Sequence, residues 1–257
     1  MEARQAQIFM DAHELNLTFQ SNKPDSEGSW RVDPELYRKD DGLVITPGLA
    51  TLGFLHCQGQ EQPGKKVRIA SDIGSSDHPS LAQAGARRWL QDNVKLAALM
   101  SVSVAIVNPE QYALSRETLV RLARKEVALR PACRTWPFAF TSLAAVGNRT
   151  TIIHRDRKSG KNNLYDVMTT IGGDPNVKIR LKGLGFTGDY KSGSIAVLSC
   201  HTHLHSVSKS PSAERLAFAA YMKPSVLLEM GLDLPRLPTY DSIRRLHVQQ
   251  IATRHTT

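Results

Sequence analysis

Thr150-Thr151-Ile152-Ile153-His154-Arg155-Asp156 is a short β-branched run that ends in a histidine and an aspartate two positions apart. Further runs follow at short intervals: Val167 to Ile171, the alternating Val177/Ile179/Leu181, Ile195/Val197, and Leu216/Phe218/Ala220. Glycine-bearing turns at Gly172-Gly173, Gly183 to Gly188 and Gly193 separate them. Short alternating runs between turn signals mark strands, and a series of them predicts an antiparallel β-sandwich or jelly roll.

Upstream of Pro137 the period is helical. Leu90, Val94 and Ala97 recur at helical spacing, and Asn108-Pro109-Glu110 is a cap with proline at the first helical position. Behind it Leu119, Leu122, Ala123 and Val127 form one apolar face, with Arg116, Arg121, Arg124 and Lys125 mostly elsewhere on the helix. The spacing predicts two helices, over residues 80–102 and 109–129. Residues 1–80 carry the turn signals Lys23-Pro24, Pro47-Gly48 and Pro63-Gly64, with apolar pieces at Leu43-Val44-Ile45 and Leu52 to Leu55 between them, and predict short strands and loops. Helices followed by strands describe an α+β chain with helices packed on one sheet. The chain reads as one domain, 1–257: strands and loops over 1–80, supporting helices over 80–130, a β core over 135–225 and a C-terminal extension over 226–257.

A chain of 257 residues with 41% apolar and 22% charged side chains is neither disordered nor collagen-like. At this length folding buries about 70–75% of the unfolded surface, so a core forms without a metal to staple it, and a metal here serves function. Cys57, Cys133 and Cys200 include no C-x-x-C, which argues against a disulfide framework and a thiolate zinc site. The longest apolar run, Leu96 to Val107, is interrupted by Ser101 and Ser103 and is shorter than the ~20 residues of a membrane span. No signal-peptide pattern opens the chain, so the composition predicts a soluble intracellular protein with no membrane partner. Thirty-three Lys and Arg against 24 Asp and Glu leave a net charge of +9, a field that favours polyanions, nucleic acid first among them.

His154 and Asp156, two apart at a strand end, leave the same face and can converge on one ion. A third ligand from a distant strand would complete the facial arrangement of two imidazoles and one carboxylate that suits non-haem Fe(II). The other cluster is His201-Thr202-His203-Leu204-His205. On a single strand its three histidines would project from one face, as in a zinc hydrolase, but they would span about 13 Å at ~3.3 Å per residue. Two of them with His154 remain an alternative zinc site.

The order of these features carries a resemblance. After His154-Arg155-Asp156 come the turn Lys191-Ser192-Gly193-Ser194, the strand Ile195-Ala196-Val197-Leu198, the histidine cluster, and Arg215 at the head of Leu216-Ala217-Phe218-Ala219-Ala220-Tyr221. This pattern resembles the Fe(II)/2-oxoglutarate dioxygenases of double-stranded β-helix (cupin-like) fold. The H-R-D spelling, and Tyr221 six residues after Arg215, are similar to the TET/JBP group, particularly its fungal members, which act on the 5-methyl group of pyrimidines in DNA. The likeness covers about residues 135–225. It implies that His154, Asp156 and His205 bind iron, that Arg215 holds the distal carboxylate of 2-oxoglutarate, and that Tyr221 stacks on a base flipped out of the duplex. If Arg215 faces the barrel interior, alternation turns Ala217, Ala219 and Tyr221 the same way and Leu216, Phe218 and Met222 the other.

The chain departs from the TET pattern at Lys223, where the family carries histidine, and at Ala217, where it carries serine. The asparagine after the H-R-D has no clear counterpart, Ser159 or Asn162 standing nearest. Asp189, in the glycine-rich loop before Gly193, is the candidate acceptor for an exocyclic base amine, and Arg157 and Lys158 for flanking phosphates. The resulting expectation is a monomeric nuclear dioxygenase with a double-stranded β-helix core and supporting N-terminal helices. With Fe(II) and 2-oxoglutarate it oxidises methylated bases in double-stranded DNA, foremost 5-methylcytosine to 5-hydroxymethylcytosine, with N6-methyladenine also possible as substrate. A DNA-binding module without turnover is the other alternative; the filled ligand positions argue against it.

Overall fold

The computed structural model describes residues 2–22, 30–56, 65–75, 77–156, 163–241 and 244–245. Its strands are β1 (Gly48–Leu55), β2 (Arg68–Ile69), β3 (Ser142–Gly147), β4 (Thr151–His154), β5 (Asp166–Gly172), β6 (Lys178–Leu181), β7 (Phe186–Asp189), β8 (Ile195–Leu198), β9 (His205–Val207) and β10 (Arg215–Tyr221). They form a six-stranded sheet in the order β2-β1-β3-β10-β5-β8 and a four-stranded sheet in the order β4-β9-β6-β7. Every pairing is antiparallel. Counted from β3, the eight strands run first, eighth, third and sixth across one sheet and second, seventh, fourth and fifth across the other. That winding is the double-stranded β-helix.

Helices α1 (Glu2–Asp11), α2 (Asn16–Ser21), α3 (Leu81–Asp92), α4 (Val94–Val107), α5 (Pro109–Lys125), α6 (Arg130–Thr135) and α7 (Pro224–Glu229) complete the chain. α1 and α4 contact β5, α4 also contacts β8, and α2 and α7 contact β1, so helices cover the outer face of the six-stranded sheet. The main apolar core lies at this junction. Along β10, Leu216, Phe218 and Ala220 enter it, followed by Met222, and Phe218 stacks on the fully buried Trp89 of α3 with ring centroids 5.0 Å apart. A smaller cluster of Val177, Ile179, Tyr190 and Val207 lies apart from it, with Met168 and Ala196 packed against it.

Local chemistry sets the element ends. Ser80 and Gln83 form a reciprocal capping box at the start of α3, and Asn108 caps α5 ahead of Pro109. At the turn after β5, Gly172 and Gly173 have φ of +71° and +86°, and a Cβ on Gly172 would lie 2.4 Å from the Glu214 carbonyl oxygen. Only glycine fits there.

The structure departs from the sequence-based expectation in four places. Residues 2–21 are helical rather than strands and loops, and Leu43-Val44-Ile45 forms no strand. α1 is polar and buries only Ile8 fully, so its stability comes from docking on β5, which periodicity does not reveal. The helix predicted over 80–102 is two helices bent by 64°. Asn93 makes the break: its backbone N–H and its side-chain Nδ2 both donate to the Trp89 carbonyl, at 3.1 and 3.0 Å. Within the glycine-rich turn of 183–188, β7 begins at Phe186, and β3, built largely of small residues, joined no predicted run. Finally, α7 begins at Pro224 and buries Val226 and Leu227, so the start of the C-terminal extension belongs to the core. No single helix among the described residues is long and apolar enough to cross a membrane.

Removing the Phe218 ring should cost ~3–5 kcal/mol as a large-to-small core change. Leu99, on the solvent side of α4 and 51% exposed, should tolerate alanine within about 0.5 kcal/mol. Urea unfolding followed by circular dichroism measures both, and equal midpoints would place the core elsewhere.

Candidate active site

His154 ends β4 and His205 begins β9, and the two are cross-strand partners with ring centroids 4.2 Å apart. Nδ1 of His154 lies 2.8 Å from the Ile152 carbonyl, and Nδ1 of His205 lies 3.0 Å from the His203 carbonyl. A carbonyl only accepts, so each Nδ1 carries a proton, which leaves Nε2 as the ring atom turned to the site. Those Nε2 atoms face Asp156, at 3.5 Å from Oδ1 for His154 and 3.7 Å from Oδ2 for His205. The Asp156 N–H donates to the Cys200 carbonyl at 3.0 Å, which fixes the carboxylate on the same side. One ligand atom from each of the three lies within 4.8 Å of the others. Two imidazoles and one carboxylate with open positions match the facial set that takes non-haem Fe(II).

The electrostatics favour that use. Burial pushes the Asp156 carboxyl up, but hydrogen bonds and charges from His154, Arg31 and His205 outweigh it and hold the group well below the usual carboxylate range. Burial, with the neighbouring His154, lowers the pKa of His205. Arg31 Nη2 donates to Asp156 Oδ1 at 2.5 Å, and the adjacent Trp30 ring lies 4.4 Å from that of His154.

The triad opens into a cavity of about 490 Å³ lined on one side by Arg215, Ala217, Ala219 and Tyr221 of β10. Arg215 is 4% exposed, and its Nη1 has no partner among the described residues. Burial drops its pKa to about 10. Its backbone is locked by Asn148, which accepts the Arg215 N–H on Oδ1 at 2.9 Å and donates its own N–H to the Arg215 carbonyl at 2.7 Å. Gly173 leaves space for the arginine stem, since a Cβ there would lie 3.2 Å from Cγ and Cδ of Arg215. A second guanidinium, Arg149, lines the same cavity with Nε shielded and without a partner among the described residues, and burial lowers its pKa. Shielded donors of two arginines beside a metal-type triad fit a small dianionic acid.

The structure brings His154, Asp156, His205, Arg215 and Tyr221 to one cavity. It does not bring Asp189 there. That residue sits on the outer edge strand β7, half exposed, and pairs with Lys178 and, at 3.8 Å, with Lys191; the loop predicted to reach the site is a strand that folds away from it. Arg157 and Lys158 lie outside the described residues. His201 and His203 belong to a turn in which Thr202 and His203 N–H groups both donate to the Ser199 carbonyl. The strand starts only at His205, so no alternation carries the other two into the triad. Sequence reasoning missed Trp30, Arg31, Arg149 and Asp166, all isolated residues without a periodic or motif signal.

No curated protein sequence matches the chain. Among solved structures it is similar to NgTET1 in complex with 5mC DNA, at 18% identity and a TM-score of 0.46, over 74% of this chain and 63% of that one. Ectoine synthase from P. lautus is similar at 18% identity and a TM-score of 0.23, over 39% of this chain and 69% of that one. Protein NMB1881 from Neisseria meningitidis is similar at 14% and 0.23, over 31% and 72%. Residues 82–224, 143 of the 257, match the Tet_JBP family model, described as the oxygenase domain of the 2OGFeDO superfamily, and the match runs from the first turn of α3 through α6 and takes in strands β3 to β10. With the triad, the buried arginine and the β-helix winding in place, the chain belongs to the TET/JBP family of Fe(II)- and 2-oxoglutarate-dependent oxygenases.

Proposed function

We propose that the protein oxidises methylated bases in DNA, foremost 5-methylcytosine to 5-hydroxymethylcytosine. The observation that carries this reading is a single cavity with a facial triad, a buried Arg215 whose Nη1 has no partner among the described residues and, six residues along the same strand, Tyr221. In this reading His154, Asp156 and His205 hold the iron, and the Arg215 guanidinium takes the distal carboxylate of 2-oxoglutarate. Iron and 2-oxoglutarate, when bound, supply the oxidation of a methyl group by dioxygen, with succinate and carbon dioxide as co-products.

The chain's own residues do the rest. Ala217 and Ala219 leave the space between Arg215 and Tyr221 open. Arg149, whose Nη1 donates to the Arg31 carbonyl, faces the same space with a second set of donors. Tyr221 offers a ring face to a base extruded from the duplex, the step any enzyme working on a base inside the stack requires. Lys223 stands over that ring, its Nζ 5.2 Å from the centroid. The net charge of +9 supports DNA as the partner, since basic proteins gain affinity from released counterions.

Asp156→Ala should abolish Fe(II) binding in anaerobic titration calorimetry, whereas His201→Ala and His203→Ala should retain it; retention in the Asp156 variant would reject the triad. Breaking a buried charge pair costs ~3–5 kcal/mol, so Arg215→Ala should raise the 2-oxoglutarate concentration needed by two orders of magnitude or more, at tenfold per ~1.4 kcal/mol. Arg215→Lys should rescue poorly, because an ammonium lacks the planar two-bond contact. Incubation with Fe(II), 2-oxoglutarate and duplexes carrying 5-methylcytosine or N6-methyladenine, followed by nucleoside mass spectrometry, should yield 5-hydroxymethylcytosine. Recovery of 5-methylcytosine intact under iron-loaded conditions would reject the substrate.

A further inference from the structure

With Asp189 on an outer edge, the cavity still contains one carboxylate beyond the triad. Asp166 opens β5, one position past the pairing of Val167 with Ala220, and so lies across from Tyr221 at the end of β10 opposite Arg215. It is 3% exposed. Oδ2 accepts the Cys200 N–H at 3.3 Å; Oδ1 is shielded from solvent and has no partner among the described residues. A buried carboxylate oxygen without a hydrogen bond is costly, and here it lines a cavity rather than a packed core. Burial pushes the carboxyl up to about 7, with the Asp156 charge adding to the shift and Lys223 opposing it. Either protonation state keeps an oxygen able to accept a hydrogen bond.

We infer that Asp166 Oδ1 accepts a hydrogen from the exocyclic amine of the substrate base held against Tyr221, an assignment that rests on the methylated-base reading above. The covalent structure of 5-methylcytosine explains the placement. Its methyl group and its amine sit on neighbouring ring atoms, so an acceptor for the amine must stand close beside the metal site. Asp166 does so through one residue: the Asp156 N–H donates to the Cys200 carbonyl, and the Cys200 N–H donates to Asp166. A 5-methyluracil base presents a carbonyl at the same ring atom, and two acceptors face each other once the carboxyl is ionised. The ionised site therefore selects methylated bases that carry an amine.

The experiment compares wild type with Asp166→Ala and Asp166→Val, which carry no acceptor, each loaded with Fe(II) and an unreactive 2-oxoglutarate analogue. Fluorescence anisotropy measures binding to duplexes carrying 5-methylcytosine, and to the same duplexes with hydrogen in place of the 4-amine. Wild type should prefer the amine by about tenfold or more, since one good edge contact discriminates by ~1–3 kcal/mol. Either folded variant should lose the preference to within about twofold while keeping Fe(II) affinity. A preference that survives in a folded variant overturns the assignment, as does loss of preference in step with loss of Fe(II), which would make Asp166 a support of the iron site. Wild type that neither binds nor oxidises 5-methylcytosine duplexes removes the substrate reading itself, and Asp166 with it.

Discussion

Strand β10 runs between two environments that make opposite demands, and its alternation meets both. Every second side chain, Leu216, Phe218 and Ala220, is pressed into the helices, with the Trp89 ring lying flat on Phe218. The residues between them, Arg215, Ala217, Ala219 and Tyr221, face the cavity. A shift of one residue would place an arginine in the apolar core and a phenylalanine over the His154, Asp156 and His205 cluster. The hydrogen-bond ladders to β3 and β5 on either side prevent that slip.

The cavity face concentrates charge that the remainder of the molecule would not tolerate. Arg215, Arg149, Asp156 and Asp166 share one space, and one polar atom each of Arg149, Asp166 and Arg215 is shielded without a partner among the described residues. Such groups relax toward water or toward each other if the backbone allows it. Here it does not, because the far side of the same sheet is held by the main core and the head of β10 is bolted to Asn148. Rigidity behind the sheet is thus what keeps donors and acceptors aimed into the cavity, the preorganisation a binding site needs.

Much of this was legible in the sequence where a physical period or a spacing recorded it. The alternation of Leu216 to Met222 gave the two faces of β10, and the order of His154, Asp156, His205 and Arg215 pointed to the winding. Elements stabilised by docking left no such record. α1 is polar and short, and folds against β5; Asn93 looks like any helix residue until its side chain reaches the Trp89 carbonyl. Asp189 read as a candidate because it follows a glycine-rich turn, but β7 is a strand at the sheet edge, and its lysine partners occupy it. Asp166 and Arg149 carry no local signature, since what distinguishes them is burial, which only the fold creates.

The pairing of His154 with His205 joins two residues separated by 51 positions into one rung of a single ladder. Each ring is oriented by a carbonyl two residues earlier in its own chain, Ile152 for one and His203 for the other. Ligand geometry is therefore inherited from strand ends and is indifferent to the length and composition of the segments that connect them. A lineage built on this frame can lengthen, shorten or recharge the connections around the mouth, and so exchange one substrate for another, while the metal-binding end passes unchanged from one version to the next.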